Sequence, residues 1–253
     1  QNNFNLKLWC SLINSSFAKY YLSLTSASWG IERERVQSNE TLTLPMPTDI
    51  NEKVILKLEQ KFDELVKLIQ DDFDFVKTKP IESEINKIIF QDLFLFSDSD
   101  KWAIDDLINY SIDLFENKEK SNALYPVLAE QVTDYGETIS SELNEFLDGQ
   151  DLFANATIFE YINRTSPLMM IKLSFAKKQK EVIASKEFID DELEKIDQHL
   201  WEEKSSNIYF RKKLNYKTGD DIYIIRPNQR RFWSKSMAIE DASELILEIL
   251  NGN

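Results

Sequence analysis

Residues 226–236, RPNQRRFWSKS, place Arg226, Arg230, Arg231, Lys235 and the Phe232–Trp233 pair close together in a chain whose formal charge is -14. Guanidinium groups beside aromatic rings are the side chains that hold a phosphate backbone, so one use of the stretch is nucleic-acid contact. The other use is structural. Consecutive aromatics in a small domain pack inside, and the arginines then pair with carboxylates of the acidic helical region as an electrostatic latch. The aromatic pair favours the second use. Lys212 and Lys213 extend the cationic set upstream, and Lys235 precedes a final helix whose first turn offers free backbone N–H groups.

Other reactive types are sparse. The five glycines (Gly30, Gly136, Gly149, Gly219, Gly252) are far apart, which excludes a phosphate-cradling loop or a dinucleotide fingerprint within this chain. His199 is the only histidine and lies in a charged helical segment, where a partly exposed helical role outweighs catalysis. Glu116-Asn117-Lys118 matches the acidic-x-Lys element of metal-dependent nucleases, but at a helix end rather than on a strand beside a second carboxylate. Asp71–Asp72 and Asp105–Asp106 are neighbours in helices, pointing about 100° apart, and so do not chelate as pairs. Cys10 is the sole cysteine, which leaves no internal disulfide and reads as a structural thiol. No catalytic, cofactor or metal residue is expected.

The acidity is local. Residues 1–50 hold four basic and four acidic groups, residues 51–150 hold ten against twenty-three, and residues 205–235 hold eight against two. Fields act over a Debye length of about 8–10 Å, so the acidic middle does not forbid a polyanion elsewhere. No run of eighteen apolar residues occurs and the first residues lack a signal-peptide layout, so neither a membrane span nor secretion is expected and the chain reads as cytoplasmic. Because it starts at Gln1, inside an amphipathic pattern, it is expected to be part of a longer protein.

The elements that must position these residues are mainly helical at first. Apolar spacing predicts one helix over 4–25 stopped near Gly30, an extended connector over LTLPMP (42–47), a long helix from an Asp49 cap, and further amphipathic helices to 148. After Gly149 the period shifts toward two. TIFEYIN and LMMIKLSFA flank Arg164–Pro167 as a hairpin, KEFIDDELEKIDQHLWEE reads as a helix, IYFRKKL and DIYIIRP flank a turn at Thr218–Asp220, and MAIEDASELILEIL closes as a helix. The expected fold is α+β: a mainly helical first two thirds, then a small ββαββα domain with a four-stranded antiparallel sheet and helices on one side. The expected divisions are 1–48, an acidic helical spacer over 49–148, and 149–253.

LINSSFAKYYLSLTSASWGIERERVQSNETLTLPMP (12–47) resembles the distal end of the target-recognition domain of type I restriction specificity subunits, and of bacterial N6-adenine DNA methyltransferases that carry a fused one. Tyr20, Tyr21 and Leu22, the Ser28-Trp29-Gly30 step, Leu44–Pro47 and the long helix after Asp49 stand in that family's order. The closing IIRPNQRRFWSKSMAIEDASELILEIL is similar to the C-terminal tail of large restriction-modification and phage-defence methyltransferases. The resemblance implies a parent that binds duplex DNA and transfers a methyl group from S-adenosylmethionine to adenine, working with restriction or specificity subunits. It also makes Arg33 and Arg35 candidates for backbone contact. The family's Asn/Asp-Pro-Pro-Tyr/Phe motif and glycine motif are absent here, so this stretch is expected to hold no cofactor and to support recognition rather than methylate. The alternative is a protein-interaction module with no DNA contact.

Overall fold

The computed structural model describes residues 5–26, 38–71, 74–160, 168–188, 214–218 and 221–251. The chain forms two compact units, Gln1–Phe115 and Glu116–Asn253. It is an α+β protein, helical in its N-terminal part with a sheet toward the C-terminus.

In the first unit the single helix expected over 4–25 is two: α1 (Leu6–Ile13) and α2 (Ser16–Thr25). Ser15 causes the break. Its hydroxyl donates to the Leu12 carbonyl at 2.6 Å and accepts from the Ala18 amide at 3.1 Å, capping α2 in competition with a continuous helix. The expected stop at Gly30 lies outside the described residues. A short helix, α3 (Ser38–Thr41), leads through turns to α4 (Glu52–Asp71). Its start is held by Asn51, whose Oδ1 accepts from the Lys53 amide at 2.9 Å, in place of the expected Asp49.

Helix α5 (Phe75–Ile88) runs into a π-helical turn at Ile89–Leu93, and α6 (Asp98–Asp106) into a second at Leu107–Ile112 before α7 (Asp113–Asn117). The core of this unit joins Leu8, Leu12, Phe17, Leu58, Ile85 and Ile89, with the Phe17 ring 4.5 Å from Phe94 and 5.2 Å from Phe96.

In the second unit α8 (Ala129–Phe146) precedes strands β1 (Phe153–Glu160), β2 (Leu168–Ala176), β3 (Ile183–Phe188), β4 (Leu214–Thr218) and β5 (Asp221–Pro227), and α9 (Lys235–Leu250) closes the chain. Helix α8 falls inside the stretch expected to be spacer, yet it packs on β1 and α9. At Gly136 the missing side chain brings α8 close to the sheet: a Cβ there would lie 3.5 Å from the Ala156 Cβ.

Among the described residues the sheet has five strands in the order β3-β1-β2-β5-β4 and is mixed, not the expected four-stranded antiparallel one. β1–β2, β2–β5 and β4–β5 are antiparallel, whereas β3 runs parallel to β1 with Ile158 opposite Ala184. Lys186–Phe188, expected to open a helix, are therefore strand. The free edge of β1 supplies backbone partners that outweigh the helical pattern of those three residues. The rest of that expected helix, the end of TIFEYIN with the Arg164–Pro167 turn, residues 208–213 of IYFRKKL and residues 219–220 lie outside the described residues; Thr218, expected in the second turn, is instead the last residue of β4.

Candidate functional site

The C-terminal basic stretch is built from the end of β5, a turn and the start of α9. DIYIIRP is an apolar run with residues 222–226 buried, the signature of a central strand covered on both faces. Arg226 belongs to the run and is only 2% exposed. A buried charge needs a partner. Asp241, 1% exposed, supplies it from the inward stripe of α9 that also carries Ala238, Ala242 and Leu245.

Arg226 Nη2 donates to both carboxylate oxygens of Asp241, and Nη1 donates to the Phe232 carbonyl at 2.8 Å. The Tyr135 hydroxyl of α8 donates to Asp241 as well. Tyr135 is itself buried, lies 5.1 Å edge-on to Trp233, and has its hydroxyl pKa pushed well above the ordinary value, first by burial and then by the Asp241 carboxylate.

The turn itself is fastened at each step. Trp233, with no exposed surface, donates from Nε1 to the Pro227 carbonyl at 3.0 Å. Asn228 Oδ1 accepts from the Val127 amide at 3.0 Å. The Arg230 amide donates to the Tyr125 carbonyl at 3.0 Å, and the Arg230 carbonyl accepts from Gln131 Nε2 at 2.8 Å. Ser234 caps α9, accepting from the Met237 amide.

The expected cationic residues thus divide. Arg226 is corrected: it is sealed in the core and committed to Asp241, with no surface for a phosphate. Arg230 is half-buried, its Nε donating to the Pro126 carbonyl at 3.3 Å and its guanidinium 5.7 Å from the Tyr125 ring centre. Arg231 donates from Nε to Gln229 Oε1 at 3.0 Å and sits 4.5 Å over the Phe232 ring. Lys235 reaches Asp134 of α8 at 3.2 Å. Arg33, Arg35, Lys212 and Lys213 lie outside the described residues.

The expected latch takes a different form. Its central ion pair closes within the second unit, from Arg226 to Asp241, and Lys235 alone of the four cations forms an ion pair with a described residue of the acidic 51–150 stretch. Trp233 plugs the core and Phe232 packs at its edge. Sequence reasoning missed Asp241 and Tyr135. The available signal was an acidic residue on the apolar stripe of the closing helix, which demands a buried countercharge.

Elsewhere, an open pocket of about 580 Å³ lies between α8, the start of β1 and the 179–182 segment, lined by Glu137, Glu145, Asp148, Lys180, Phe153 and Val182 among others. Among the described residues no group of three or more His, Cys, Asp or Glu is arranged to hold a metal ion, and no helix is long and apolar enough to cross a membrane. No family model, curated protein or solved structure matches this chain.

Proposed function

We propose that this chain is a non-catalytic C-terminal region of a cytoplasmic DNA methyltransferase of a restriction-modification or phage-defence system. It supports recognition of duplex DNA and contacts with restriction or specificity subunits, while S-adenosylmethionine binding and methyl transfer to adenine belong to the parent. The observation that carries this reading is the use made of the closing stretch. Arg226, Trp233 and Asp241 lock strand, turn and helix together, and Arg230 and Arg231 are held on that frame. A framed pair of arginines supports the reading of polyanion contact through Arg230 and Arg231. The succession of α2, a proline-bearing connector and the twenty-residue α4 follows the order that the resemblance implies and supports the same reading.

The test is duplex binding by the chain at increasing salt. A region that supports DNA contact binds with an affinity that falls steeply and linearly on a log–log plot. Absent or salt-insensitive binding overturns it. One observation favours the second reading, a protein-interaction module: the Lys235–Asp134 pair ties one cation of the stretch to the acidic stretch.

A further inference from the structure

We propose that Arg230 and Arg231 are two preorganised guanidinium forks that grip successive phosphates of a duplex DNA backbone, with Tyr125 as the residue that positions Arg230. The proposal deepens the DNA-supporting reading above and rests on it.

A guanidinium carries five N–H donors in one plane. In both residues the protein uses Nε: Arg230 on the Pro126 carbonyl and Arg231 on Gln229 Oε1. In both, the group also lies over an aromatic ring, Tyr125 at 5.7 Å and Phe232 at 4.5 Å. A pinned Nε and a covered face leave, among the described residues, the two Nη groups as the open edge, the geometry that takes two oxygens of one anion. Among the described residues neither guanidinium has a carboxylate partner, although acidic residues exceed basic ones in the chain, forty-four against thirty.

The backbone beneath them is fixed too, by the Arg230 amide on Tyr125, by Gln131 Nε2 on the Arg230 carbonyl and by Arg226 Nη1 on the Phe232 carbonyl. Long side chains that are already ordered lose little freedom on binding. Residues 230–232 form one 3-10 turn, so the two forks point about 120° apart, toward separate anions of a stiff polymer rather than one. An acidic peptide, whose carboxylates ride on flexible stems, gains less from them.

The test titrates a fluorescent 20-base-pair duplex and a fluorescent poly-glutamate peptide against the full chain and four variants. Arg230→Ala and Arg231→Ala are each expected to weaken duplex binding by about fivefold to tenfold and to lower the salt slope by about one. Arg231→Lys should keep the slope and lose the affinity, since it retains the charge without the fork. Tyr125, 45% exposed, can be changed without opening the core: Tyr125→Ala should weaken the duplex with the slope intact.

Duplex binding that all four variants leave unchanged overturns the fork assignment while the DNA reading stands. No duplex binding by the unaltered chain overturns both. Tighter binding of poly-glutamate than of duplex, lost in the arginine variants, overturns the phosphate assignment in favour of a protein partner.

Discussion

Arg226 and Asp241 are the residues on which the C-terminal unit turns, because each is a buried charge whose cost is met by the other. Removing one partner strands the second. Arg226→Met is therefore expected to destabilise the unit by about 3–5 kcal/mol, and Asp241→Leu by a similar amount. The double substitution should cost much less than the sum, because it removes both charges together. Urea unfolding of the three variants checks this.

Tyr135 adds a pH signature to the same cluster. Its folded-state pKa is raised, so the native protein keeps the phenol protonated after an unfolded chain would have released the proton near pH 10. The stability it contributes is complete below about pH 10 and is lost as pH rises beyond that toward the folded-state value. Tyr135→Phe cannot ionise. Its deficit against the unaltered protein is expected to shrink between pH 9 and 11 in parallel unfolding titrations.

The residue types at this site were legible in the sequence, but their division was not. Arg226 and Arg230 look alike in a string of letters. Burial and the ion pair with Asp241 set Arg226 apart in the core, whereas Arg230 stays half-exposed in the turn.

At the scale of elements, the α5 segment ends through a left-handed residue, Leu95, with φ 54° and 78% of its surface exposed. The Phe96 amide donates to the Phe90 carbonyl at 2.8 Å across it, turning both flanking phenylalanines inward, where their rings stack at 5.2 Å. A leucine in this conformation costs about 1 kcal/mol that glycine does not. Leu95→Gly is expected to leave the fold intact and to raise the stability of the first unit, by up to about 1 kcal/mol less glycine's own entropy cost; calorimetry measures it.

The longer helices and strands β1, β2 and β5 followed from apolar periodicity, β2 residue for residue, whereas β4 shares only Leu214 with the strand expected over 208–214. What periodicity hid was decided by local or distant backbone partners. Ser15 splits α1 from α2 through its own hydroxyl. Strand β3 exists because the outer edge of β1 needs hydrogen bonds, a demand set by residues some twenty-five positions earlier.

For the whole molecule, net charge is a poor guide. The acidic surplus sits in residues 51–150, while the basic stretch is spent partly on the core and partly on the surface of one turn. That split is the centre of the account, and one paired measurement tests it: thermal unfolding and duplex titration on the unaltered chain, Arg226→Met and Arg230→Ala/Arg231→Ala, with titrations run well below each melting point. Arg226→Met is expected to melt about 10 °C or more lower and, when folded, to keep duplex binding at reduced affinity because its bond to the Phe232 carbonyl is lost, and the double variant to melt within about 2 °C of the original while losing most duplex affinity. Unchanged melting with lost binding in Arg226→Met, or lowered melting with unchanged binding in the double variant, would contradict it.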